Sequence, residues 1–513
     1  MKNELKKFKN FIQRNYKWII FLFVISILTY STKLFNYSIS IDTEVPINNL
    51  NGNDMPWIAT GRWGVVFLEK IMHFGHRYNP FLSNIVMILF FTCSVILFSY
   101  LISKIVKKEH LEKNILLIQG FFILTSPTIA EMLNFTLMSA EIAIGIFFVV
   151  LSTLCLYIAI YEKNKKSYLL SIIFLVIAMG EYQAFFPLFI GLVAIMFSLE
   201  KIFDSKNDKF KSDLINIVKM VVVFIISYII CSIITKVLEI HFNLNPSGYL
   251  TNQITWGKVP VSESINNIKN YIKMIMFPSN SSEFFNYSYL ISCLIFIKCS
   301  IKLIKDRRKK SIVPILALAF VLITPFLLTI LMGNFAVLRS QMILPFVIST
   351  FFTLYIVVFD NKTLNKVICL LCIIFGLIQF KYTSDLFYSD YIRYQEDVNL
   401  TQSIFDKIDN MDDLPNSNRE NVKVVFIGQH SSKSTGVVAR GETFSYSFYE
   451  WDQTTKMLSN IRIYGLTQTL GYRYIMPTEE DVDLAKKNIK KLDVYPSKKS
   501  IKVIDDLVIV RLS

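Results

Sequence analysis

Glycine and proline are scarce in this chain, 17 and 14 among 513 residues, which excludes collagenous and low-complexity readings. Charge is also sparse: 18% of residues are Asp, Glu, Lys or Arg, where a soluble domain carries about 25%. Cys93, Cys155, Cys231, Cys293, Cys299, Cys369 and Cys372 all fall in apolar runs. The polar segments have no cysteine, so a disulfide framework there is excluded. Cys369 and Cys372 form a CxxC pattern, but inside an apolar run with no strand or polar flank. That context argues against a redox or metal role.

Apolar residues take the place of the missing charge. They make up 53% of the chain, with 43 Phe and 25 Tyr. Apolar runs of spanning length recur through the first three quarters, which predicts a polytopic α-helical membrane protein. Spans are expected near 18–35, 81–103, 114–131, 138–160, 168–180, 183–200, 214–240, 286–304, 311–332, 341–359 and 364–381. The net charge of +15 reads as topology and not as nucleic-acid binding. Alternate connections hold 25 Lys and Arg on one side and seven on the other, and short basic connections stay in the cytoplasm. The N-terminus is therefore expected inside and the C-terminus outside. Residues 1–17 are basic and lead into an apolar run without a small-residue cleavage site, so the first helix is expected to be retained.

Two outside connections, 36–80 and 241–285, are too long to be turns. The first mixes Trp57, Trp63 and aliphatic residues with Arg62, Glu69 and Lys70, as a helix lying in the membrane interface would. The second has Trp256 and helical apolar spacing over 265–277. After Lys381 no spanning run remains. Strands are expected over 422–427 and 507–512, with a helix over 479–491 entered through Thr478. The expected organisation is a membrane bundle, 1–381, followed by an extracytoplasmic α/β domain, 382–513.

Asp42 and Glu44 open the first long outside connection. In extended chain, residues two apart point to the same side, so the two carboxylates can share acid–base work. They could also hold Mg²⁺ or Mn²⁺. Glu181 sits at an outside helix junction, where an ionisable group is costly and hence a functional candidate. Glu131 and Glu141 flank another outside turn. Arg339 is the one basic residue of 333–340 and can grip a phosphate through two hydrogen bonds or anchor at headgroups. Trp57, Trp63 and Trp256 can stack on sugars or anchor the interface. His73 and His76 have helical spacing but no third ligand, which argues against zinc.

Ser40-Ile41-Asp42-Thr43-Glu44, followed by Trp57-Ile58-Ala59-Thr60-Gly61-Arg62-Trp63-Gly64, resembles the bacterial membrane glucosyltransferases that modify O-antigen or cell-wall glycans, the type II glucosyl transferase family. Gly180-Glu181-Tyr182-Gln183 resembles that family's Tyr-Gln element. The resemblance covers about 15–380, with a weaker echo at Tyr495-Pro496-Ser497. It implies the GT-C superfold in a bacterial cell membrane, with the active site at the outer face. The implied donor is a sugar, most simply glucose, on polyprenyl phosphate, and the acceptor is a surface polysaccharide. Asp42 inherits by position the role of base or metal partner. Thr43 separates the acids that relatives often have adjacent, so Glu44 and Glu181 stay in contention. Arg62, Trp63, Tyr182 and Gln183 become substrate-binding candidates. A lipid-sugar flippase, a glycan polymerase or ligase, and a glycan-binding role for the tail are the alternatives.

Overall fold

The computed structural model describes residues 2–48, 54–72, 79–203, 210–245, 248, 252–278, 284–307, 311–412, 414, 419–453 and 457–513. His73 and His76 lie outside the described residues. In chain order the main helices are α1 (Lys2–Thr29), α2 (Ser31–Phe35), α3 (Glu44–Asn48), α4 (Asp54–Ala59), α5 (Trp63–Met72), α6 (Pro80–Val106), α7 (Glu112–Leu124), α8 (Pro127–Leu133), α9 (Ser139–Tyr161), α10 (Lys166–Glu181) and α11 (Phe185–Phe203). Then follow α12 (Phe210–His241), α13 (Val261–Met276), α14 (Ser288–Arg307), α15 (Ile312–Ile323), α16 (Leu327–Met332), α17 (Ile343–Phe359), α18 (Lys362–Asp409), α19 (Leu458–Thr469) and α20 (Glu479–Asn488). The chain divides into two compact units. One comprises Met1–Ser31, Asp54–Leu133 and Met138–Ser384; the other comprises Thr32–Asn53, Asn134–Leu137 and Asp385–Ser513.

The first unit is helical, and a helix stands at each of the eleven expected spans. Among the described residues, seven are long and apolar enough to cross a membrane alone. An eighth span arises if α7 and α8, bent by 56° at their break, count as one. The bend falls at Pro127, which has no N–H to continue the ladder. The other three fall short. α10 and α17 have 16 and 17 residues, less than the roughly 20 that span a bilayer. α14 carries Lys298, Lys302, Lys305 and Asp306 on its 20 residues.

Polar groups inside this apolar bundle are used to join helices. Ser152 Oγ donates to the Ser171 carbonyl at 2.8 Å, from α9 to α10. Gln119 Nε2 donates to Thr353 Oγ1 at 3.0 Å, from α7 to α17. Where water is absent, such bonds join helices that have no hydrophobic reason to associate.

The second unit is α/β. β1 (Lys423–Ile427) pairs in parallel with β3 (Leu507–Arg511), and β2 (Ile501–Ile504) pairs antiparallel to β3, giving the order β1-β3-β2. The sheet is covered on both faces, which explains strands that read as unbroken apolar runs. On one face Val424, Phe426, Val508 and Val510 pack with Ile404, Phe405, Ile408, Ile463 and Leu466. On the other, Val425 and Ile509 meet Val482 and Ala485 of α20. α20 begins at Thr478 with a capping box to Asp481, as expected for this sequence.

The sequence pattern assigns no element to residues 382–409; they continue α18, which is 48 residues long. Leu386, Tyr394, Leu400, Ile404 and Ile408 are buried along it, so helical periodicity persists after the run stops being apolar all round.

Arg393 on this continuation is 1% exposed. Its guanidinium donates to Asp390 at 2.7 Å, to Asp397 at 3.3 Å and to the Ile39 carbonyl at 3.3 Å. Asp397 also accepts from Ser447 Oγ and the Phe448 N–H, and Asp390 from the Ser445 N–H. The buried guanidinium is held by two carboxylates and a carbonyl through its two terminal nitrogens, and removing one member strands the rest. Arg393→Ala is expected to destabilise the second unit by about 3–5 kcal/mol, read as a lower melting temperature and faster proteolysis of the tail. An unchanged melting temperature contradicts this role.

Candidate active site

The segment carrying the acidic triplet is built into the second unit. Ile39 and Ile41 are buried in its core, and Arg393 holds the Ile39 carbonyl. The chain then turns: the Thr43 N–H donates to the Ser40 carbonyl at 3.2 Å, and the Ser40 and Thr43 hydroxyls lie 2.9 Å apart. Asp42 sits on this turn with φ +64, a left-handed conformation that Asp tolerates better than most residues. The segment is therefore not the extended strand assumed above. Even so, the turn and the start of α3 bring Asp42 and Glu44 to one cation.

That cation is Arg462, from α19. It donates to Asp42 Oδ1 at 2.9 Å and to Glu44 Oε1 at 2.8 Å, and its Nε bonds Asp452. The helix that carries it is fixed twice. Asn460 exchanges two hydrogen bonds with the backbone of Phe426 on β1, at 2.8 and 3.1 Å. Asn48 of α3 donates to the Gly465 carbonyl and to Thr469 Oγ1. Gly465 allows this approach, since a Cβ there would lie 3.0 Å from the Glu44 carbonyl carbon.

The two acids differ in environment. The Asp42 side chain is 53% exposed and that of Glu44 is fully buried. Glu44 Oε2 has no partner among the described residues. Burial pushes the Glu44 carboxyl up to about 7, against the opposing pull of Arg462. Arg462 is held above its ordinary value: burial opposes this, but Asp42 and Glu44 outweigh it.

These acids were also the expected ligands for Mg²⁺ or Mn²⁺. One oxygen of each is already engaged by a guanidinium, so the donor set as arranged does not fit a divalent ion. Among the described residues no group of three or more His, Cys, Asp or Glu could hold a metal.

The remaining motif residues belong to the first unit, where two separately read segments meet. Residues 57–62 form a turn closed by the Arg62 N–H on the Trp57 carbonyl at 2.8 Å, with Gly61 at φ +76. Gln183 Nε2 donates to the Thr60 carbonyl at 2.7 Å. The Arg62 guanidinium lies over the rings of Trp57 and Tyr182, at 5.5 and 5.1 Å. Trp63 packs on Gly180, and Gly64 packs on the backbone of Gly180 and Glu181. Gln183 and Tyr182 thus hold the Gly-Arg-Trp turn from one side.

Glu181 is fully buried at the end of α10, and neither carboxyl oxygen has a partner among the described residues. A Cβ on Gly145 would lie 2.3 Å from its Oε2, so α9 closes over it. Glu131 and Glu141 are fully buried. Arg339 lies in the single turn Leu338–Ser340, which packs on α8. Trp256 donates Nε1 to the Ile330 carbonyl at 2.9 Å and packs on Gly333, so its polar edge is committed to the backbone.

The sequence reading missed Arg462 and Asp452. They are 420 and 410 positions from Asp42, in a tail with no recognisable motif, so nothing local pointed to them. An Arg on the buried helix 458–469 was the only available hint.

The long apolar helices mark the chain as a membrane protein. Residues 31–359 match the family described as Glucosyl transferase GtrII, and the chain belongs to that family. It is therefore a glucosyl transferase by family, and Asp452 and Arg462 lie beyond the matched region. No curated protein and no solved structure matches the chain.

Gly64→Ala is expected to force α5 away from α10, because its Cβ would lie 2.7 Å from the Gly180 carbonyl carbon. Real side chains do not tolerate that contact, so glucosyl transfer should drop at least about tenfold with a lower melting temperature. Wild-type rate and melting temperature in this variant would contradict the packing described.

Proposed function

We propose that the protein transfers a sugar, most simply glucose, from a polyprenyl-phosphate donor to a polysaccharide acceptor at the outer face of a bacterial cell membrane, with inversion. The observation that supports this most is the convergence of Asp42 and Glu44 on one guanidinium, with Asp42 exposed and Glu44 sealed. Asp42 is the base. It takes the proton from an acceptor hydroxyl as that oxygen bonds to the anomeric carbon. The bond from that carbon to the phosphate oxygen breaks, and polyprenyl phosphate departs with the electron pair. A positioned carboxylate base contributes about 10²–10⁴-fold.

Glu44 and Arg462 set the state of Asp42. While Glu44 is protonated, Arg462 is drawn to Asp42 and occupies the oxygen it would offer to the acceptor hydroxyl. Once Glu44 ionises, it competes for the guanidinium and frees Asp42. No divalent ion takes part in this scheme, since Arg462 supplies the cation. The GT-C architecture and the outside location of both long connections rest on the charge pattern and the family.

The test is transfer from polyprenyl-phosphate glucose to surface polysaccharide by the purified protein. Asp42→Asn should lower kcat by about 10²–10⁴-fold without unfolding, and full activity in that variant sinks the assignment. A raised Glu44 pKa means the proton is bound below about 7, so the wild-type rate should climb as pH rises through that value. Glu44→Gln should remove this inflection; an unchanged profile would contradict the coupling. Adding a chelator should leave the rate unchanged, and loss restored by Mg²⁺ or Mn²⁺ would replace Arg462 with a metal in the scheme.

A further inference from the structure

Beside the acid pair, the second unit carries aromatic groups that the proposed chemistry does not use. The Trp451 ring lies 5.8 Å from the Arg462 guanidinium, the same group that pairs with the Asp42 carboxylate at 2.9 Å. Tyr446 meets Trp451 edge to face, with ring centroids 5.4 Å apart. Arg440 lies over the Tyr446 ring at 5.3 Å and pairs with Glu450 at 3.7 Å. Both aromatic residues are half-buried, with the inner side of Trp451 packed on the core. Trp451 Nε1 has no partner among the described residues, although a buried indole N–H ordinarily finds an acceptor.

We propose that Trp451 and Tyr446 form a platform for a neutral pyranose unit of the acceptor glycan, held beside Asp42. The apolar face of a pyranose presents C–H groups with partial positive charge, which suit the negative face of an aromatic ring. Charge decides against an anionic ligand. Arg440 and Arg462 are already paired with Glu450, Asp42, Glu44 and Asp452, four carboxylates to two guanidinium groups. This rests on the transferase reading for the identity of the ligand, but not for the existence of the platform.

The test uses the full-length protein in detergent and saturation-transfer NMR with neutral tetrasaccharides of glucose, rhamnose and N-acetylglucosamine. Wild type is expected to bind at least one of them. Trp451→Ala should weaken that binding by about tenfold or more, and Trp451→Phe should stay within about threefold because the ring remains. Absence of binding to all three, or equal binding by wild type and Trp451→Ala, overturns the platform. So does equal loss in the Ala and Phe variants, which would give Trp451 a packing role alone. Sugar binding that depends on Trp451 in a protein that transfers nothing would retain the platform and remove the transferase reading instead.

Discussion

The arrangement of the candidate active site depends on one guanidinium. Glu44 has a fully buried side chain, and an uncompensated carboxylate there would either protonate or destabilise the fold. Arg462 supplies the compensation and at the same time draws in Asp42 and Asp452. Burial disfavours the Glu44 carboxylate more than Arg462, shared with two other acids, favours it, which leaves Glu44 poised near neutral pH. The geometry that stabilises the segment therefore also makes its charge state sensitive to conditions where an enzyme works.

Such a site needs exact placement of segments remote in sequence, and the second unit provides it through buried hydrogen bonds that cross between them. Arg393 ties α18 to the Ile39 carbonyl and to the segment 445–448, while Asn460 ties α19 to β1. Ile39 and Ile41 enter the same hydrophobic core as the strands. The acid pair thus lies at the edge of a packed domain, with Asp42 exposed and Glu44 inside it. In the first unit, glycines do the corresponding work: Gly64 and Gly180 let the Trp63 turn lie directly on the end of α10.

Much of this was legible from residue patterns, because the signals were local. Each of the eleven apolar runs is helical, some of them broken into paired helices, Thr478 started its helix, and the VKVVFI and LVIVRL runs became paired strands. Asp42, Arg62 and Glu181 were singled out by charge in apolar surroundings, and family membership rests on the same part of the chain. What could not be read was long-range. α18 continues past its apolar run because its buried stripe narrows to one face. The partner of the acid pair is a lone arginine in the tail, and no spacing rule connects residues 42 and 462. The contact between the Gly-Arg-Trp turn and Gln183 likewise joins two segments that sequence could only flag separately.

The most direct test of the central claim is a double-mutant cycle on transfer activity with Asp42→Asn, Arg462→Gln and the pair. If the two residues act as one unit, the double variant should be no slower than the slower single variant, since a coupled partner is lost only once. Losses that multiply would show that Asp42 and Arg462 act independently, and would contradict the view that this ion pair organises the site.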